Sequence, residues 1–250
     1  MKGWPKEAYG WYYKACKMFD YPAGPYGKAL RELISKDDTV LDLGCGIGAA
    51  SVMISPWCKK VIAMDQDENA LHHLAANARE LNLGNIEILH DSWPPVSPIK
   101  ADVIIALHVQ KAMRSLSNIR LVFESSKKGG FIASQVAVSR QEEPFCELKE
   151  ALGIPPNHEK CDNGCYVKGA LEALGASAAC GKKVYDFGQP LDAMDEVVQF
   201  ISWQIELESP PKDSDVQKIK EYANRYAEKA GGKYLVPIER HCCTVSFLKL

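Results

Sequence analysis

The 250-residue sequence has no run approaching the roughly eighteen uninterrupted apolar residues that a membrane-spanning helix requires. Its opening stretch, MKGWPKEAYGWYYK, also lacks the continuous apolar segment and small-residue cleavage site of a secretory signal, so a cytoplasmic location is expected, with no membrane partner. Charge of one sign is missing too. Thirty Lys and Arg face 32 Asp and Glu, a formal charge of −2, which removes any broad attraction for a polyphosphate and leaves only a local basic patch as a route to one. A paired-cysteine framework is absent: the nine cysteines are an odd number scattered over a large chain and read as reduced thiols. Cys161 and Cys165 have three residues between them and no second pair follows at zinc-ribbon spacing. Loop or core positions are therefore favoured over a metal knuckle completed by Cys180 or His158, and no metal is expected. Internal repeats and low-complexity tracts are lacking as well.

What remains is a composition of 46% hydrophobic and 25% charged residues, close to the globular average and excluding disorder, collagen and fibrous coils. The length favours one domain with its own core. From about residue 36 strand and helix signals alternate. Apolar runs at Thr39 to Leu43, Lys60 to Met64, Ile86 to His90, Asp102 to Leu107 and Phe131 to Val138 predict five strands, continuous enough to be parallel and covered on both faces. Between the second and third, Ala70, Leu71, Leu74, Ala75, Ala78 and Leu81 share one helical face, with Asp67 to cap its start and Gly84 to stop its end. Residues 139–164 break the rhythm with a short helix, a Pro-Pro turn and a polar loop, read as an insertion over the strand ends. Tyr166 to Leu174 reads as helix, Ala178 to Phe187 and His241 to Leu250 as strands pairing antiparallel at one edge, and residues 191–208 and 213–230 as helices between them.

The most informative stretch is Val40-Leu41-Asp42-Leu43-Gly44-Cys45-Gly46-Ile47-Gly48, a strand running into three alternate glycines and then an apolar helix. Glycine belongs where a backbone turns sharply and comes close to a ligand. The plain alternative is an ordinary strand-to-helix turn. A dinucleotide fingerprint, G-x-G-x-x-G, has different spacing and lacks the carboxylate two residues before the first glycine, so a dehydrogenase ranks last. That carboxylate suits a cationic ligand better than a pyrophosphate.

This stretch resembles the first motif of the class I S-adenosylmethionine-dependent methyltransferases, and the resemblance extends over residues 38 to about 138. Asp65, ending Ile62-Ala63-Met64-Asp65, falls where that family places the acid that accepts both ribose hydroxyls. Asp91, after Ile88-Leu89-His90, falls where an acid or amide reads the adenine amino group, and Ser92 follows with a backbone N–H for the ring. Lys128-Gly129-Gly130-Phe131 is similar to the turn that opens the fifth strand. The resemblance implies a doubly wound α/β fold, Rossmann-like, with a mostly parallel seven-stranded sheet and an antiparallel edge strand. It assigns the cofactor, S-adenosylmethionine, with S-adenosylhomocysteine as product, to Asp42, Gly44, Cys45, Gly46, Gly48, Asp65, Gln66, Asp91, Ser92, Trp93 and Leu107. Gln66 would lie on the adenine face, and Trp93 either stacks there or closes the core beneath Pro94-Pro95. An isolated Asp after a strand is ordinarily a helix cap, a role Asp67 already fills. It is the combination with the glycine turn that makes Asp65 a ligand.

The implied organisation is a single domain over residues 1–250: an N-terminal helical lid (1–36), a cofactor half (37–138) and an acceptor-side half with helical insertions (139–250). The implied reaction is in-line transfer of a methyl group to a small molecule, in which the protein aligns donor and acceptor and excludes water. A protein or RNA acceptor, or cofactor binding without catalysis, stays open. No amino-methylation signature for DNA follows the fourth strand, so a nucleic-acid partner is not expected. His108, ending Ile104-Ile105-Ala106-Leu107-His108, is the candidate general base, against the alternative of a pocket wall. His72 and His73 are read as solvated. Eight of the 22 aromatic residues fall in the first 26 positions: Trp4, Tyr9, Trp11, Tyr12, Tyr13, Phe19, Tyr21 and Tyr26. Ala8, Trp11 or Tyr12, Ala15 and Phe19 make one helical face, whereas Tyr9, Tyr13 and Tyr21 are expected to point elsewhere, so that residues 1–27 close over the site.

Overall fold

The computed structural model describes residues 4–109, 113–136, 144–155, 163–207 and 211–250. The apolar runs form five parallel strands: β1 (Thr39–Leu43), β2 (Lys60–Asp65), β3 (Ile86–His90), β4 (Ala101–Leu107) and β5 (Ser126–Gln135). β6 (Ala176–Asp186) follows, then three short strands, β7 (Gln189–Leu191), β8 (Glu228–Ala230) and β9 (Lys233–Val236), and last β10 (Glu239–Lys249). The large sheet has seven strands in the order β3-β2-β1-β4-β5-β10-β6, and a three-stranded sheet runs β7-β9-β8. Strand β1 pairs in parallel with both β2 and β4, so the strand order reverses at β1. In open α/β sheets the crevice at the carboxyl ends of such a pair is where ligands bind.

The helices are α1 (Lys6–Met18), α2 (Lys28–Leu33), α3 (Ala49–Ile54), α4 (Glu68–Glu80), α5 (Leu116–Ser125), α6 (Cys146–Ala151), α7 (Asn163–Ala173), α8 (Met194–Gln204) and α9 (Asp213–Tyr226). No helix among the described residues is long and apolar enough to cross a membrane. Asp67 caps α4 as expected, its carboxylate accepting from the amides of Asn69 at 3.0 Å and Ala70 at 3.3 Å. The stop is not Gly84. Asn82 takes the left-handed conformation (φ 54°) and the Leu83 amide bonds back to the Ala78 carbonyl at 2.9 Å, so Leu81 leaves the helical face and is exposed.

The chain folds as two compact units. One comprises Asp20–Val136, Cys161–Lys183 and His241–Leu250 and contains most of the large sheet; the other comprises Met1–Phe19, Ala137–Lys160 and Val184–Arg240. In the sheet unit Leu41, Leu43, Met64, Ile104, Ile132 and Phe247 pack with Ile119, Val122 and Leu171 from helices α5 and α7. Full burial of each such side chain stabilises by roughly 1.5–3 kcal/mol. In the second unit Trp11 meets Phe200 edge to face at 5.9 Å, and both join a core with Leu148, Leu191, Val197 and Ile219. Tyr9, expected to point away, is buried: Trp4 folds back and stacks on it at 5.7 Å, which widens the buried face of α1.

Strand pairing bears out one further expectation and corrects others. The last two long strands stand side by side at one edge as expected: β10 is antiparallel to β5, from Cys242 opposite Gln135 to Leu248 opposite Gly129, and β6 lies beyond it at the rim. The reason is in the residues: β10 buries Cys242, Cys243, Thr244, Val245 and Phe247, whereas β6, which takes the edge, is exposed along most of its length. Leu191, expected to be helical, ends β7, and residues 228–230, expected likewise, are the whole of β8; both strands pair with β9, and three residues are too few for a period to show. Lys128 to Phe131 lie within β5 rather than in a turn before it, because Ser126 already pairs with Ala101 and a register shift between Ala101 and Val103 takes up the glycines. Of residues 139–164, helix α6 confirms the short helix, while residues 139–143 and 156–162 lie outside the described residues.

Candidate functional site

The carboxyl ends of β1 and β2 are stitched together by backbone. The amides of Gly44 and Cys45 both donate to the Met64 carbonyl, at 2.8 and 3.0 Å, and the Gly46 amide donates to Asp65 Oδ2 at 2.8 Å. The Asp67 amide donates to Asp65 Oδ1 at 2.9 Å. Two positions of the turn need glycine for different reasons. At Gly48 (φ 84°), the start of α3, an added Cβ would lie 2.1 Å from Leu74 Cδ1, so α4 packs directly onto the turn. At Gly46 (φ 54°) an added Cβ would meet nothing within 4 Å, so the turn opens onto space on that side.

An ionised carboxylate has about four acceptor positions, and these amides take one on each oxygen of the half-buried Asp65. The remainder can accept a vicinal pair of hydroxyls, which is the demand a ribose makes. Asp42 lies beneath. It is 1% exposed, its Oδ2 accepts the Ser51 hydroxyl at 2.5 Å, and burial pushes its carboxyl up to about 7, with the Ser51 bond opposing and the Asp65 charge adding to that rise. Burial, then the charges of Asp42 and Asp65, push the Cys45 thiol up as well, so it is an inert wall.

One strand further, the Asp91 amide donates to the Asp65 carbonyl at 3.2 Å. The Asp91 carboxylate is turned into its own loop, accepting from the amides of Ser92 at 2.7 Å and Val96 at 3.1 Å. The Ser92 N–H, assigned from the sequence to an adenine ring, is thus engaged by Asp91. Gln66 is exposed, and its carbonyl lies 3.1 Å from His90 Nε2. Trp93 packs against the core of the sheet unit, and its buried indole N–H has no partner among the described residues.

On the other side of β1, β4 ends in the half-buried Leu107, and the half-buried His108 follows it. The His108 amide donates to the Ala133 carbonyl at 2.7 Å, and its φ of 62° is the left-handed conformation, uncommon for a residue with a side chain. Tyr26, 1% exposed in a wide helical turn over Ala23–Gly27, brings its hydroxyl within 3.1 Å of His108 Nε2. The Tyr21 ring stands 6.3 Å from the imidazole, and Phe131 of β5 backs Tyr26 at 5.7 Å. Of the N-terminal aromatic residues, Tyr21 and Tyr26 belong to this unit, whereas those up to Phe19 belong to the other. Sequence reading named both tyrosines without pairing either with His108, and it missed Ser51 as the partner of Asp42. His72 and His73 are exposed on α4. Among the described residues no three His, Cys, Asp or Glu side chains gather as a metal site requires, and Cys161 and His158 lie outside them.

A family model described as a methyltransferase domain matches residues 40–130. A protein of Methanobrevibacter smithii named "Probable cobalt-precorrin-6B C(15)-methyltransferase (decarboxylating)" is 29% identical over 143 residues, which make up 54% of this chain and 75% of that one. A ribosomal protein L11 methyltransferase of Clostridium botulinum is 30% identical over 125 residues, 49% of this chain and 39% of the relative, so the match spans well under half of that protein. Among solved structures, a SAM-dependent methyltransferase from Aquifex aeolicus aligns with a TM-score of 0.53 at 15% identity, covering 99% of this chain and 100% of that one, a likeness of fold.

Proposed function

Because the chain belongs to the class I S-adenosylmethionine-dependent methyltransferases, with that compound as its methyl donor, we propose that it methylates a small-molecule acceptor at the carboxyl end of β4. The observation that carries the reading is the Gly46–Asp65 clasp: an amide at 2.8 Å fixes a carboxylate with acceptor positions to spare beside a turn with open space. When bound, S-adenosylmethionine supplies an activated methyl group on a sulfonium sulfur, so the chain itself has to bind, orient and exclude water.

Asp65 accepts the two ribose hydroxyls, and the glycine turn admits the rest of the donor without a side chain in the way. Asp42 holds α3 to the end of β1 through Ser51 and, when ionised, contributes negative charge beneath a cationic ligand. Asp91, Ser92, Gln66 and Trp93 border the adenine, with Asp91 releasing one of its two loop amides or accepting the amino group alongside them. His108 is the group that takes a proton from an oxygen or nitrogen acceptor, and Tyr26 orients its imidazole. A net charge of −2 and the tyrosines beside His108 favour a compact, partly apolar acceptor over an anionic polymer. Of the two sequence relatives described above, the one named for cobalt-precorrin-6B is covered over the larger share of its length, 75% against 39%.

The test is a transfer assay with methyl-labelled donor against a metabolite extract and, separately, against a ribosomal protein fraction. Label in the low-mass fraction supports this reading. Label in a protein band overturns the small-molecule acceptor and favours the activity named in the L11 relatives.

A further inference from the structure

We propose that Cys180 and Cys243 form a reversible oxidation site, a thiol pair on adjacent strands that a hydroperoxide converts to a disulfide and a dithiol reductant restores. The inference is independent of the methyl-transfer reading. Cys180 lies on β6 and Cys243 on β10, which are neighbours in the sheet, and their sulfurs stand 3.3 Å apart. A second contact holds the strands in step beside them, the Thr244 hydroxyl donating to the Gly181 carbonyl at 3.3 Å. Neighbouring strands are about 4.8 Å apart, inside the roughly 4.4–6.8 Å between Cα atoms that a disulfide spans. The sulfurs therefore need to close from 3.3 Å to about 2.05 Å, a movement within reach of side-chain rotation.

The surroundings leave room for such a pair. Gly164, at the start of α7, lies over it: a Cβ there would stand 1.8 Å from Cys243 Sγ and 3.2 Å from Cys180 Sγ. The two thiols differ in access, Cys180 being exposed on the edge strand while Cys243 is 2% exposed. That difference sets the order of events. A hydroperoxide meets Cys180 first; its thiolate attacks the outer oxygen, the O–O bond breaks, an alcohol or water leaves, and Cys180 becomes a sulfenic acid. The Cys243 thiol then attacks the sulfenic sulfur, the S–S bond forms, the S–O bond breaks and water departs. Two electrons have passed from the thiols to the peroxide. Return requires a dithiol, which is oxidised as the bond is cleaved. Cys165, exposed next to Gly164, is the nearest competitor in sequence to the pair's glycine neighbour. The pair also sits close to the site: Cys243 is opposite Ser134 of β5, the residue after Ala133, whose carbonyl holds the His108 amide.

The experiment treats the full chain, purified under reducing conditions and exchanged into buffer without reductant, with a small excess of hydrogen peroxide. Remaining thiols are alkylated and the digest is mapped by mass spectrometry without reduction. The expected result is one linked peptide joining Cys180 to Cys243, two thiols fewer per chain, and full recovery with dithiothreitol. Cys180→Ser, a change at an exposed position, removes the link and leaves Cys243 alkylatable, whereas Cys165→Ser links as the unaltered chain does. Amide exchange in β6 slows on oxidation, a readout that does not depend on catalysis. A link through any other cysteine, sulfinic acid on Cys180 with Cys243 still a thiol, or no thiol consumed overturns the proposal.

Discussion

Two corners of the sheet unit flank the reversal of strand order, and they are built on opposite plans. The corner between β1 and β2 is made of backbone: four amides, those of Gly44, Cys45, Gly46 and Asp67, converge on Met64 and Asp65, and the partners come from two short stretches, with Gly46 and Asp65 only 19 residues apart. The corner at the end of β4 is made of side chains, and its central contact, Tyr26 to His108, joins residues 82 apart. A backbone corner is the same whatever side chains occupy its other positions, which suits it to the donor-binding role proposed for it. A side-chain corner changes with every substitution, which suits it to the acceptor-side role proposed for it.

Substitutions can break that contrast or sharpen it. The largest effect is expected for Asp65→Ala, which removes two charge-assisted hydrogen bonds to ligand hydroxyls at roughly 1.5–3 kcal/mol each, together with the anchor of the Gly46 amide. Calorimetry with S-adenosylhomocysteine should show an affinity at least a hundredfold lower in protein that circular dichroism reports as folded. An unchanged affinity would place the donor somewhere other than the backbone corner.

The same corner carries a pH signature. Asp42 titrates at about 7 when folded against 3.8 as the reference value for the unfolded chain. Between those values the folded state keeps a proton that the unfolded state has lost, so stability without ligand falls as pH rises from about 4 to about 7 and levels off above it. The decline is on the order of a few kcal/mol. Urea denaturation across this range measures it, and Asp42→Asn should flatten the profile.

The side-chain corner should respond in rate and not in donor binding. For His108→Ala turnover is expected to drop by about two orders of magnitude, the low end of what a general base supplies, with S-adenosylhomocysteine affinity unaltered. Loss of donor affinity in this variant would mean the two corners are one. The smallest effect is expected for Tyr26→Phe, which keeps the ring on Phe131 and removes only the hydroxyl at 3.1 Å from the imidazole. Turnover should fall several-fold and the pH–rate profile should shift; a rate change without that shift would make Tyr26 packing alone.

The legibility of the site in the sequence follows the same division. Val40 to Gly48 and Asp65 could be read because a strand, a glycine turn and a following acid are local features with fixed spacing, and the five parallel strands were visible as continuous apolar runs. Tyr26 could not be paired with His108, because nothing local links a wide turn before β1 to the end of β4. The density of aromatic residues near the N-terminus was plain, but it did not reveal that Trp11 meets Phe200 in one unit while Tyr21 faces His108 in the other. Gly84 lost its expected role to Asn82 because the left-handed stop depends on where the last helical hydrogen bond falls, and either residue type can supply it. The three-stranded sheet was hidden for a different reason: strands of three and four residues carry too short a pattern to be separated from the helices beside them.

The position of β6 bears on how the protein behaves when concentrated. An eleven-residue strand at the rim of a seven-stranded sheet offers unpaired amides and carbonyls to any similar rim nearby, the geometry from which ribbons and aggregates grow. Here the exposed middle of that strand is Gly181-Lys182-Lys183, followed by Val184 at 56% exposure. Two such rims laid side by side would set ammonium groups against ammonium groups along the new seam, and the repulsion acts before any hydrogen bond can form. The lysines thus oppose self-association along an edge where an apolar pair would invite it.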